Sequence, residues 1–183
     1  MTHLRLLAPP VPQMTPEEAC LDAFQRELDY IHRTLYRLGA GTSEVDDLAQ
    51  DLFLALSRAW PNYDATRPLR PYLFGIAFRI VSAHRRKGRR EIAFGIVETD
   101  DGRPGPDDML QNKQARALLL AALKQIPEPR RAVLIMRDLD DVPMDEIASV
   151  LAIPRFTAYS RLRKARRELE AAVRRMLKKV DSR

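Results

Sequence analysis

MDEIASVLAIPRFTAYSRLRKARRELE, residues 144–170, carries the chain's clearest helical signal. Met144 to Leu151 has helical spacing, Ala152-Ile153-Pro154 interrupts it, and a long basic segment then starts at Arg155. A short helix, a tight turn and a second helix form a helix-turn-helix pattern, although many helical hairpins share that spacing. At about 100° per residue the second helix divides into arcs. Ala158, Leu162, Ala165, Leu169 and Ala172 fall on one face, expected to pack on Ile147, Ala148 and Leu151. The far side carries Phe156, Ser160, Arg163, Lys164 and Arg167, with Thr157 at its edge. Arginines and a hydroxyl from the first turn onward suit a major groove, where guanidinium groups fork to guanine edges or phosphates. Phe156 stands out on that arc: it either meets a thymine methyl or folds back onto the preceding helix.

The rest of the chain supports an all-α reading. Its 183 residues are 45% hydrophobic and 31% charged, enough to bury a core. Only 7 Gly and 7% aromatics argue against turn-dense β architecture. Cys20 is the single cysteine, which excludes an internal disulfide, and His3, His32 and His84 share no ligand spacing, so no metal or cofactor is expected. No apolar run approaches the ~20 residues a membrane helix needs, and Leu4–Ala8 is too short for a signal peptide. A reducing cytoplasm is the expected location. Cys20, near the inward-facing Phe24, reads as a buried structural thiol.

Lys and Arg exceed Asp and Glu by 31 to 25, and the distribution matters more than the net +6. Arg79, Arg85, Arg86, Lys87, Arg89 and Arg90 form one acid-free cluster. Arg155 to Lys179 holds ten cations against Glu168 and Glu170. Acids gather at Glu44–Asp51, Glu98–Asp108 and Asp138–Glu146. Two basic stretches separated by acidic ground point to two contacts on one polyanion, with solvated helix faces as the plain alternative.

Residues 1–16, with Pro9, Pro10, Pro12 and Pro16, read as a flexible leader. Thr15 is a candidate N-cap, and one helix is expected from Glu17 to Leu38, ended by Gly39 and Gly41. Thr42 or Ser43 caps a second helix to about Trp60; Asn62–Pro71 is a loop; a third helix runs from Tyr72 to about Lys87. Residues 91–112 contain DDGRPGPDD (100–108), acidic and Gly/Pro-rich, the signature of a flexible linker. Extended, about 22 residues reach ~70 Å, so the halves need not touch. The second half reads as four helices, Lys113–Gln125, Pro129–Arg137, Met144–Leu151 and Arg155 to about Lys179, with 180–183 as a tail. The cations beyond the motif, Arg174, Arg175, Lys178 and Lys179, read as added phosphate contacts or a frayed helix end. The expected architecture is two small helical bundles on a tether, residues 17–90 and 113–179.

In the first bundle Val45, Leu48, Ala49, Leu52, Phe53, Leu56 and Trp60 share a buried arc. Opposite lie Asp46, Asp47, Gln50, Asp51, Ser57 and Arg58, with Leu54 in their midst. That leucine is either a protein-docking patch or a stray surface residue. The acids read as a solvated face near a helix N-terminus rather than a metal site. Leu73, Ile76, Ala77, Ile80 and Val81 face inward on the third helix; Gly75, Arg79, Ser82 and Arg86 form a polar stripe, and His84 falls on the inward arc. Asn62, Tyr63, Arg67 and Arg70 precede it, a mixture that suits single-stranded nucleic acid.

In this order, DDLAQDLF (46–53) followed by RPLRPYLFGIA (67–77) resembles domain 2 of bacterial sigma factors, specifically the extracytoplasmic-function group of the sigma-70 family. LKQIP (123–127), Arg131 to Leu134, DEIA (145–148), and Ile153-Pro154 followed by SRLRKAR (160–166) resemble domain 4. The resemblance implies a promoter-specificity subunit, not an enzyme. Asp47, Gln50, Asp51 and Leu54 would dock on the clamp coiled coil of the largest subunit of core RNA polymerase, with the flap of the second-largest subunit as a further contact. Asn62, Tyr63, Arg67, Arg70, Tyr72, Arg79, Ser82 and Arg86 would open the −10 element. Arg155, Phe156, Thr157, Tyr159, Ser160, Arg163, Lys164 and Arg167 would read the −35 element. An anti-sigma factor is an implied partner, and the free protein is expected to be a monomer. Phe156 and Tyr159 stand where the family often has Gly and Lys, Ala152 where it often has a turn glycine, and Pro143 where a capping Ser is frequent; Asp141 is the expected replacement cap. The competing reading is a stand-alone helix-turn-helix regulator, for which the chain offers no extended heptad helix; a DNA enzyme lacks any catalytic cluster.

Overall fold

The computed structural model describes residues 14–93 and 110–181, which form eight α-helices with a 3₁₀ turn and a π turn and, among the described residues, no strand. The sequence-predicted leader and linker lie largely outside the described residues, at 1–13 and 94–109.

Helix α1 (Pro16–Arg26) starts as its sequence dictates. Thr15 Oγ1 accepts the Glu18 amide at 3.2 Å while Glu18 Oε2 accepts the Thr15 amide at 2.7 Å, a reciprocal capping box. The single helix expected over 17–38 is broken at Glu27, where the backbone leaves helical angles and α2 (Leu28–Leu38) begins. No Gly or Pro announces this break; the Glu27 carboxylate is instead occupied by Arg70 Nε at 2.8 Å. Gly39, at φ 97, ends α2, with Ala40 donating back to the Leu35 carbonyl at 3.0 Å.

Helix α3 (Val45–Ala59) buries Val45, Leu48, Ala49, Leu52 and Leu56 as expected. Its cap differs: Glu44 occupies the N-cap position without a side-chain bond to the helix. The Glu44 carboxylate accepts the Gly41 amide at 2.7 Å and meets His84 Nε2 at 2.8 Å. His84 is therefore exposed and hydrogen-bonded to Glu44 rather than inward, because α4 (Leu69–Ala93) turns that arc toward the α2–α3 loop. Helix α4 begins three residues before the expected Tyr72. Pro71 sits in its first turn, where a missing amide costs nothing.

In the second half α5 (Leu110–Lys124) and α6 (Glu128–Leu134) are followed by a single π turn at Ile135–Leu139. Helices α4 and α5 thus take the edges of the stretch expected to be linker. Helix α7 (Met144–Val150) has Pro143 at its N-cap and no side-chain cap; Asp141, expected to cap it, instead adopts φ 54. Helix α8 (Arg155–Asp181) is continuous through the basic end. Arg174 bonds Glu170 at 2.6 Å and Arg175 bonds Gln125 at 2.8 Å, so this end is held rather than frayed.

The halves, free by length to lie apart, meet in one hydrophobic core in which α2 contacts α5 and α6, and α4 contacts α7. At the α4–α7 crossing a Cβ on Gly75 would stand 2.9 Å from Val150 Cγ1, so only glycine fits undisturbed. Polar bonds reinforce the contact. Tyr30 Oη donates to Asp140 Oδ2 at 2.9 Å, Arg37 Nη1 donates to Asp140 Oδ1 at 3.0 Å, and Ser82 Oγ donates to Glu128. Burial beside the Asp140 carboxylate pushes the Tyr30 phenol up.

Candidate nucleic-acid interface

Three surfaces carry the residues singled out in the sequence. On α3, Asp47, Gln50, Asp51 and Leu54 are all exposed and lie along the outer face. Leu54 keeps 45% of its surface open, amid side chains that otherwise carry charge or amide groups.

The second surface is a hollow of about 250 Å³ that gathers Asn62, Tyr63, Arg67, Tyr72 and Arg79. Its aromatic wall is a stepped stack, with Trp60 to Tyr63 at 5.2 Å and Tyr63 to Tyr72 at 5.0 Å. The loop is shaped internally: Tyr63 Oη donates to the Arg67 carbonyl at 2.6 Å, and Asp64 Oδ1 accepts the Thr66 amide and hydroxyl at 3.0 and 2.6 Å. Those Thr66 donors hold the Asp64 carboxyl below its ordinary range. Three expected members lie elsewhere. Arg70 turns to Glu27 and the hollow beside Tyr30, Ser82 is taken by Glu128, and Arg86 is exposed further along α4. The remaining wall comes from the other half, as Glu146, Ser149 and Val150 of α7 close over Gly75 and Arg79.

The third surface is the outer face of α8. Ala158, Leu162, Ala165 and Ala172 are buried as expected, with Leu169 half-buried. Two bidentate pairs fasten the helix to the π turn and α6, Arg166 to Asp138 at 2.9 and 2.6 Å and Arg130 to Glu168 at 2.8 and 2.7 Å. Donating to the Asp138 carboxylate raises the Arg166 pKa further. Arg155 is held by Asp145 at 3.0 Å and lies over the Tyr159 ring at 5.7 Å. Arg163, Lys164 and Arg167 are exposed, Thr157 and Ser160 half-buried at their edge. Phe156 is 84% exposed, so the reading in which it folds back is wrong: the first turn of α8 points it away from α7.

Sequence reasoning missed Arg131. It is 1% exposed, its Nε and Nη1 find no partner, and Nη1 would lie 2.5 Å from a Cβ on Gly39. Burial and the neighbouring Arg85 lower its pKa to about 10. No local signal marks it, because the burial is made jointly by two halves distant in sequence. Among the described residues there is no group of three or more metal-ligating side chains, and no helix is long and apolar enough to cross a membrane.

The family model for sigma-70 region 2 matches residues 23–91, and that for sigma-70 region 4 matches residues 116–169. The chain belongs to the sigma-70 family. Its relatives place this sigma factor in the extracytoplasmic-function group. The ECF RNA polymerase sigma factor SigE of Mycolicibacterium smegmatis is 26% identical over 151 residues, covering 79% of this chain and 58% of SigE. This chain thus spans just under three fifths of SigE's length. RNA polymerase sigma factor NccH of Alcaligenes xylosoxydans xylosoxydans is 27% identical over 139 residues, covering 73% of this chain and 75% of NccH. The fold matches RpoE of Bartonella quintana, solved in complex with the anti-sigma factor NepR, at TM-score 0.68 and 19% identity over 84% of this chain and 97% of that one. It also matches CnrH, solved with the cytosolic domain of CnrY, at TM-score 0.60 and 22% identity over 84% and 86%.

Proposed function

We propose that this sigma factor binds core RNA polymerase, selects promoters by paired −10 and −35 contacts, and promotes their opening. The observation that carries the reading is one chain bearing, in family order, an aromatic-cationic hollow before α4 and a bare cationic helix in α8. The first suits unstacked bases, which need a π-face and a cation for their phosphates. The second suits base edges in a major groove. Each surface is small, so joint attachment through polymerase supplies the effective concentration that specific initiation needs.

Asp47, Gln50, Asp51 and Leu54 form the docking face for the clamp coiled coil of the largest subunit, and the second half meets the flap of the second-largest. Because α7 walls the −10 hollow, DNA entry requires the halves to part. An anti-sigma factor that held them together would silence the −10 contact, a partner class supported by the solved complex of RpoE with the anti-sigma factor NepR. The protein acts in the cytoplasm and is a monomer when free.

The test is co-elution of the purified protein with bacterial core RNA polymerase, followed by transcription from a promoter library. Start-site-specific transcripts are expected. Leu54→Glu places a charge at the centre of the docking patch and should weaken polymerase binding at least ~10-fold with unchanged melting. Undiminished co-elution of that variant would remove the docking assignment, and tight duplex binding without polymerase would favour a stand-alone regulator.

A further inference from the structure

Helix α8 opens with two solvent-exposed aromatic side chains. Phe156, in its first turn, is 84% exposed, and Tyr159, three residues on, is 47% exposed. Neither belongs to the buried face of α8. Together with Ser160, Arg163 and Arg167 they border a hollow of about 550 Å³. Arg155 steadies the Tyr159 ring from one side, through the 5.7 Å ring contact and a 3.5 Å approach to its hydroxyl. Among the described residues no acidic side chain borders the hollow; its rim is Arg163, Arg167 and Arg166, the last paired with Asp138. A polyanion complements that rim.

The helical period aligns Phe156 with Ser160, Arg163 and Arg167 along one stripe, and the N-terminal residues of a recognition helix reach base edges first. A phenyl ring donates and accepts no hydrogen bond, so it reads a base only through an apolar group. In the major groove the 5-methyl of thymine is that group. We propose that Phe156 specifies thymine: its ring packs on the methyl of one −35 thymine, while Arg163 and Arg167 hold the neighbouring base edges or phosphates. This rests on the reading of α8 as the −35 helix.

The experiment uses full-length protein assembled with core RNA polymerase and a −35 element selected from a random library. Each thymine of that element is replaced singly by deoxyuridine, which deletes the methyl and nothing else. One replacement should weaken wild-type binding about fourfold, the factor for one buried methyl. Phe156→Ala should lose a similar factor on the thymine duplex and be indifferent to deoxyuridine at that position. Phe156→Leu, still apolar, should keep part of the sensitivity. The proposal is overturned if the selected element contains no thymine, if no deoxyuridine weakens wild-type binding, or if Phe156→Ala stays equally sensitive to the methyl. It is also overturned if Phe156→Ala weakens thymine and deoxyuridine duplexes alike, as a protein contact would. Arg163→Ala with Arg167→Ala separates the two levels. If −35 selection survives that double variant, the reading of α8 falls; if selection is lost while the methyl is ignored, the reading stands and Phe156 does not specify thymine.

Discussion

The hollow lined by Tyr63 and Tyr72 and the outer face of α8 are both built from aromatic and cationic residues, yet the first is partly walled and the second open. Tyr63 and Tyr72 lie half-buried beside a wall supplied by α7, with Gly75 pressed against Val150. Phe156, Arg163 and Arg167 face solvent, with none of the described residues covering them. Both halves contribute to closing the hollow, whereas α8 is fastened within its own half by Arg130–Glu168 and Arg166–Asp138. Access to the first surface is therefore a property of the contact between halves, and access to the second is a property of one helix. Perturbing the contact should change the first and spare the second.

The strongest perturbation is Asp140→Ala. Asp140 accepts from both Tyr30 and Arg37 across the contact, and its removal leaves a buried hydroxyl and a largely buried guanidinium without that acceptor. A loss of about 3 kcal/mol from the closed arrangement is expected. A single-stranded −10 oligonucleotide should then bind more tightly, while a −35 duplex binds as before. Equal gains at both surfaces, or at neither, would show that the contact between halves does not control access to the hollow alone.

Arg131→Met should act in the opposite direction. Arg131 is buried between the halves near Arg85, with Nε and Nη1 unsatisfied, so the closed state carries the desolvation of a cation without full return. Replacing it by an apolar side chain of similar length should stabilise closure by about 1–2 kcal/mol, raising Tm by about 4 °C. Single-strand binding should weaken in step. A lower Tm would mean that Arg131 holds the halves together rather than straining them.

The amphipathic arcs of α3, α4 and α8 were legible because each helix buries one face, and burial of that kind imprints a period on the sequence. So were the Thr15 cap and the outward Leu54. What escaped depends on partners far along the chain. His84 is drawn out by Glu44, 40 residues away, and Ser82 is removed from the expected DNA stripe by Glu128. The Tyr30–Asp140 bond spans 110 residues, and nothing near Asp140 distinguishes it from the acids around it. The break at Glu27 has the same origin: helix-forming residues run through it, and tertiary packing overrides their propensity. Periodicity identified the surfaces; it carried no information about which of them the other half would cover.

A smaller effect is expected at the turn that leads into α8. Ala152 adopts φ 51 in the turn between α7 and α8, where Ile153 donates to the Ala148 carbonyl at 2.9 Å and Ala152 donates to the Ser149 carbonyl at 3.2 Å. This is the bonding of a helix C-terminus that prefers glycine, and an L-residue there is strained by about 1 kcal/mol. Ala152→Gly relieves the strain but loosens the unfolded chain, which offsets part of the gain. A net stabilisation of about 0.5 kcal/mol is expected, near the resolution of a urea titration. Because the turn lies wholly within the second half, −10 single-strand affinity should stay at the wild-type value. A shift there would show that the turn between α7 and α8 also sets how α7 lies on Gly75, and the two surfaces would no longer be independent.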